Sequence, residues 1–188
     1  NKSIRDIREF STMLNACGRL KKPSYAIGAC LNNNILKLRA IEVLNEYKRE
    51  IANAFEWLND VIINFNSSEN KDVVINENAV VFNAKKNLNP NIVSVVTTLL
   101  TNIKNEQNIN VIIGMCYIKN QIKASLRVSK YANDSVDLLS VLKEIDFIEY
   151  YGGYENGAGC VFPKKKEKEF IETILKKINE KISIEEIY

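Results

Sequence analysis

Between Ile35 and Phe65 the chain runs without a glycine or a proline, and Ile41, Leu44, Ile51, Phe55, Leu58, Ile62 and Phe65 recur at nearly regular intervals, interrupted by Lys48. A repeat close to 3.5 residues over such a stretch predicts one long helix, roughly 45 Å at about 1.5 Å per residue. Its apolar stripe has to be covered. Two arrangements do this: a coiled-coil dimer, or a spacer helix packed on the chain's own neighbouring domains. One interrupted seam of this length favours the spacer.

The flanks of that helix differ in character. Upstream, Ile4, Ile7, Phe10, Met13 and Leu14 recur at steps of three and four, which predicts an amphipathic helix from Ser3 to Ala16. Ser3 is its expected N-cap and Gly18 its expected C-terminal stop. Pro23 and Ser24 then open a short second helix that runs through Cys30 to the polar triplet at Asn32, Asn33 and Asn34. Downstream, the polar run from Asn66 to Lys71 reads as a linker. The expected organisation is therefore a helical segment, 1–65, and an α/β domain, 66–188.

In the second part, Val73–Ile75 and Ala79–Phe82 are short strand-like runs. Asn89 and Pro90 open a helix with Ile92, Val95, Val96, Leu99, Leu100 and Ile103 on one face. Ile109 to Ile118 is a continuous apolar run. Gln121 to Ser129 alternates Ile122, Ala124, Leu126 and Val128 with Lys123, Ser125, Arg127 and Ser129, so the two segments read as a hairpin turning at Lys119 and Asn120. Asp134 is the expected cap of a helix through Leu142. A glycine-rich loop, a strand near Cys160 to Phe162 and an amphipathic closing helix follow. The fold class is α/β, with a mixed sheet flanked by helices.

Composition removes several chemistries. The 188 residues contain no histidine, which excludes imidazole acid–base catalysis, histidine-containing triads and histidine zinc sites. A net charge of +3 is too small to name a partner by itself. Cys17, Cys30, Cys116 and Cys160 have no C-x-x-C spacing and read as reduced core residues of a cytoplasmic protein. No apolar run reaches the roughly 18 residues of a membrane span, and no signal peptide is evident. The chain begins with asparagine, so it reads as a piece of a longer protein.

Three clusters are candidates for binding. Four of the seven glycines, Gly152, Gly153, Gly157 and Gly159, fall within the string YYGGYENGAGCVFP. Such a cluster either cradles an anion with backbone N–H groups or forms a tight loop between helix and strand; its spacing fits neither the dinucleotide fingerprint nor the Walker loop. Lys123, Ser125, Arg127 and Ser129 stand at period two on one strand face, as a phosphodiester grip or as a solvated surface. Asn15, Gly18, Arg19, Lys21 and Lys22 gather where the first helix ends, with dipole compensation as the plain alternative. The run Lys164, Lys165 and Lys166 reads as loop-solvated and within reach of phosphate.

The strings LNACGRLKKPS, KASLRVS and YGGYENGAGC, in that order and separated by a long helix, resemble the C-terminal part of the DHH phosphoesterase superfamily, and within it RecJ-like single-strand exonucleases. REFSTMLNACGR is similar to the archaeal branch related to Cdc45 and to the nuclease associated with the GINS complex. The resemblance covers nearly the whole chain: the end of the DHH domain, a connector helix and a DHHA1 domain. It implies that Asn15 and Arg19 lie near the cleft, that Ser125 and Arg127 hold substrate phosphate, and that Gly152 and Gly153 admit the nucleotide. Two departures stand out: Tyr154 occupies the place of the signature histidine, where stacking on a base remains open, and Gly157 replaces an alanine. The metal-binding Asp and His residues are missing here. The resemblance therefore implies that Mn²⁺ or Mg²⁺ and hydrolysis belong to an upstream DHH domain, while this chain holds single-stranded nucleic acid, DNA before RNA. Alternatives are a non-catalytic Cdc45-like module binding GINS and a phosphatase acting on short oligonucleotides or small nucleotides.

Overall fold

The computed structural model describes residues 6–63, 72–102, 109–132 and 136–185. The chain divides into two compact units, Asn1–Glu56 and Trp57–Tyr188, and the division falls inside the third helix. The expected linker at 66–71 and the expected cap residues Ser3 and Asp134 lie outside the described residues.

The first unit contains α1 (Ile7–Arg19), α2 (Pro23–Cys30) and the first part of α3 (Asn34–Ile63). The described N-cap of α1 is Asp6, whose carboxylate accepts the Glu9 amide at 2.8 Å. Gly18 is inside the last turn and is not the stop. The stop is Lys21, at φ 59°, and the Lys22 amide reaches back to the Cys17 carbonyl at 2.7 Å. α2 starts on Pro23 as expected and ends the same way, with Asn32 at φ 57° and the Asn33 amide donating to the Gly28 carbonyl at 2.9 Å. Asn33 then caps α3 by accepting the Leu36 amide at 3.0 Å. Along α3 the buried stripe is Ala40, Val43, Leu44, Tyr47, Ala54 and Leu58, while Ile41, Ile51 and Phe55 are half-buried. Small Ala and amphipathic Tyr sit at the innermost positions, and a pattern counted on large aliphatics alone puts the stripe slightly off.

The second unit is built on a six-stranded mixed sheet in the order β1-β2-β3-β4-β6-β5. The strands are β1 (Val73–Ile75), β2 (Ala79–Asn83), β3 (Val111–Ile118), β4 (Gln121–Val128), β5 (Tyr150–Tyr154) and β6 (Gly157–Pro163). β2 and β3 are parallel and joined through α4 (Pro90–Leu100); the other pairs are antiparallel. The expected β3–β4 hairpin is present, and Lys119 takes the left-handed φ of 54° that glycine usually supplies. α5 (Leu138–Lys143) is capped by Asp137, which accepts the Ser140 amide at 3.0 Å. α6 (Glu167–Glu185) closes the described chain.

Alternation along the strands gives the sheet two different faces. Val81, Ile113, Met115, Ile122, Ala124, Leu126, Cys160 and Phe162 pack with Leu138, Leu142, Phe170, Ile174 and Ile178 of α5 and α6 in the main core. Phe162 and Phe170 stack with ring centres 4.1 Å apart. Glu167 pins the start of α6 by accepting from Asn83 Nδ2 at 2.7 Å and from the Tyr117 hydroxyl at 2.8 Å. The lysine run is not loop-solvated. It forms a 3-10 turn with Lys164 Nζ 3.9 Å from the centre of the Tyr117 ring and Lys166 paired with Glu169. Among the described residues no helix is long and apolar enough to cross a membrane.

Candidate functional site

The second face of the sheet is where the polar strand and the glycines meet. On β4 its residues are Lys123, Ser125 and Arg127. Register places Cys116, Gly114 and Ile112 of β3 beside them on one side, and Val161, Gly159 and Gly157 of β6 on the other. β5 adds Tyr150, Gly152 and Tyr154 opposite Val161, Gly159 and Gly157. One row across five strands thus reads Phe82, Gly114, Ser125, Gly159, Gly152. Three of its members carry no side chain.

The glycines are not a loop. They lie in two paired strands whose turn is Glu155 and Asn156, and β6 is bonded to neighbours on both sides. The amides of Gly157 and Gly159 lie between two paired strands, which argues against an anion cradle made of N–H groups on β6. What the glycines supply is a bare floor. A Cβ built on Gly152 meets nothing within 4 Å, and one on Gly159 meets the Ala124 carbonyl at 3.2 Å. Gly153, paired with Ala158, has the opposite parity and φ 141°; a Cβ there would collide with the Gly157 carbonyl oxygen.

α4 forms the wall of this floor. Its apolar side, Ile92, Val93 and Val96, is buried. The approach is close because β3 offers Gly114, where a Cβ would run into Thr97 Oγ1 and the Phe82 ring. The helix is tied to β4 at both ends: Lys123 Nζ donates to the Pro90 carbonyl at 3.2 Å, and Arg127 Nε donates to Thr98 Oγ1 at 3.1 Å. Asn91, Ser94 and Thr98, spaced three and four apart, share the helix side that follows this seam. These three were not recognised from sequence. On an otherwise apolar helix their spacing was the available signal.

The strand face is not a solvated surface, because α4 covers its inner half. Ser125 is 3% exposed and Ser129 is 5% exposed. Ser125 Oγ is buried with no hydrogen-bond partner. It stands between the two cations along β4 and between Gly114 and Gly159 across the sheet. Arg127 Nη1 donates to the Leu126 carbonyl at 2.7 Å and to the Ala158 carbonyl at 3.1 Å. The Tyr154 ring and the Arg127 stem both lie against Gly157, whose Cβ would sit 3.1 Å from the tyrosine hydroxyl and 3.3 Å from Arg127 Cδ. Burial pushes the neighbouring Cys116 thiol up to about 11, so it is a packed thiol and not a nucleophile. At the outer edge Tyr150 and Tyr154 are 70% and 66% exposed, aromatic faces of the kind that stack on bases.

The structure therefore gathers Lys123, Ser125, Arg127, Gly152, Tyr154, Gly157 and Gly159 on one face, with Gly153 in the same hairpin. Asn15 and Arg19 belong to the first unit, where Asn15 is exposed and Arg19 is half-buried near the Tyr47 phenol. No group of three or more Cys, Asp or Glu placed to hold a metal ion is found among the described residues, and the chain has no histidine. The donor set of the described residues does not fit a two-metal centre.

No family model and no curated protein matches the chain by sequence. Solved structures do match. RecJ from Thermus thermophilus, in complex with Mg²⁺, superposes with a TM-score of 0.63 at 12% identity, over 88% of this chain and 24% of that one. Exonuclease RecJ bound to manganese superposes with a TM-score of 0.63 at 13% identity, over 88% of this chain and 38% of that one. The fold is thus RecJ-like. The chain spans 24% and 38% of those two RecJ chains.

Proposed function

We propose that this chain is the nucleic-acid-holding portion of a RecJ-like single-strand exonuclease, gripping the phosphate backbone for chemistry performed by residues outside it. The observation that carries the proposal is Ser125. A buried hydroxyl without a partner costs about 1–3 kcal/mol, and here it stands between Lys123 and Arg127 beside a floor without side chains. A phosphate oxygen on that floor would accept from the hydroxyl and lie between two cations. Tyr150 and Tyr154 offer ring faces to bases leaving the floor, with the specificity for single strands that stacking confers.

In this proposal Mn²⁺ or Mg²⁺ belongs to an upstream DHH domain, where it would supply hydrolysis. The chain itself binds, orients and screens charge. Arg127→Ala is expected to weaken binding of single-stranded DNA and to lower the slope of log affinity against log salt by about one unit. Anisotropy titrations at several salt concentrations check this, and an unchanged slope removes the phosphate role. With added Mn²⁺ the purified chain is expected to release no nucleotide from labelled single strands; turnover would show that it carries its own catalytic centre.

A second reading, a non-catalytic Cdc45-like module that binds GINS, draws on the edge strand β5, where Tyr150, Tyr151 and Tyr154 are all exposed. Capture of an archaeal GINS assembly, lost on Tyr151→Ala and indifferent to Arg127→Ala, would favour it.

A further inference from the structure

An arginine on a strand face is a long, mobile lever, and it binds an oxyanion well when its fork is held in place beforehand. Arg127 is held on two sides. Nη1 is bonded to the Leu126 and Ala158 carbonyls of the sheet, and Nε to Thr98 Oγ1 of α4. The first two acceptors are backbone and come with the fold. Thr98 is a side chain whose hydroxyl is oriented to accept. Its own proton goes to the Ser94 carbonyl at 2.8 Å, which leaves the oxygen's lone pairs for the Nε–H at 3.1 Å.

We infer that Thr98 is a positioning residue for Arg127, fixing the plane of the guanidinium beside Ser125 and the glycine floor. Thr98 need touch no substrate to do this. A threonine in the last turn of a surface helix ordinarily bonds back to its own helix and does nothing else; here the same hydroxyl bridges the helix carbonyl and the strand's cation. Cβ branching restricts the rotamers of Thr98, so the acceptor is stiffer than a serine's. The inference rests on the phosphate-binding role proposed for Arg127.

The test is fluorescence-anisotropy binding of a short oligo(dT) to the full chain at several salt concentrations, with Thr98→Val, Thr98→Ser, Arg127→Ala and the double variant Thr98→Val with Arg127→Ala. Thr98→Val keeps the shape and removes the acceptor, and is expected to weaken binding by about three- to tenfold. Thr98→Ser keeps the acceptor and is expected to stay within about twofold of the parent. The double variant is expected to match Arg127→Ala, because a positioning residue has nothing left to position. If Arg127→Ala weakens binding while Thr98→Val does not, the positioning role is wrong and the phosphate role stands. If Arg127→Ala binds like the parent, the phosphate role fails and takes this inference with it. A Thr98→Val loss that persists in full without Arg127, or that Thr98→Ser does not rescue, also overturns it.

Discussion

Under the proposed phosphate role, Ser125 separates stability from binding at the level of a single atom. Its hydroxyl is buried and unpartnered, so removing it relieves a desolvation penalty. Ser125→Ala is expected to raise stability by about 1 kcal/mol in urea unfolding while lowering affinity for single-stranded DNA. A stability loss would mean that the hydroxyl is satisfied inside the protein. Gly18 offers a change of the opposite kind, with no functional tie to the sheet. It lies within α1, and a Cβ there meets nothing within 4 Å. Gly18→Ala is expected to stabilise by about 0.5–1 kcal/mol through helix propensity, read as a higher urea midpoint. The residue that does need left-handed backbone is Lys21.

Among the elements, α4 shapes the proposed site, because it places Thr98 and the Pro90 carbonyl against β4. Its closeness depends on Gly114, and Gly114→Ala is expected to cost about 1–3 kcal/mol by overpacking. The cost falls on the Thr97 and Phe82 contacts, so near-ultraviolet circular dichroism and denaturation of this variant check it together. The elements themselves were largely legible in the sequence. Pro23 and Asn89–Pro90 announced their helices, and alternation from Gln121 to Val128 announced β4, because those signals are local. The glycine cluster was misread as a loop for a reason equally physical. Glycine carries turn propensity, whereas its use as a bare patch depends on β6 pairing with β4 on one side and β5 on the other, which local sequence does not reveal. Asn91, Ser94 and Thr98 were overlooked because polar residues three and four apart describe any helix's wet side until the opposing strand is known. A solvated surface stayed open as a reading of the Ser125 face for the same reason, since nothing in its neighbours reports that α4 lies over them.

Over the whole molecule, two buried thiols and a half-buried phenol draw stability down at alkaline pH. Burial pushes Cys160 up to about 12 and Cys116 up to about 11, and burial together with Glu167 pushes Tyr117 up to about 12. Each stays protonated when folded and would ionise sooner when unfolded, so the folded state holds more protons at high pH. Their contribution is complete below about pH 9, the ordinary cysteine value, and is lost as pH climbs through 11 and 12. Urea midpoints under reducing conditions are expected to be level to about pH 9 and then to fall, with a shallower fall for Cys160→Ala. Acid acts through a different pair of contacts. Lys177 and Lys181 hold Glu144 below its usual range, and that stabilisation fades as pH drops through its folded value.

The outermost strand invites unwanted company. All five residues of β5 are exposed, and one border of the strand has no partner among the described residues, an arrangement that lets a stray polypeptide zip on and seed insoluble aggregates. Gly153, next to the end of that strand, takes a φ of 141° that side chains rarely adopt, and this departure from regular extended backbone makes the border a poorer template. Replacing it to tidy the hairpin would therefore endanger solubility as well as the fold.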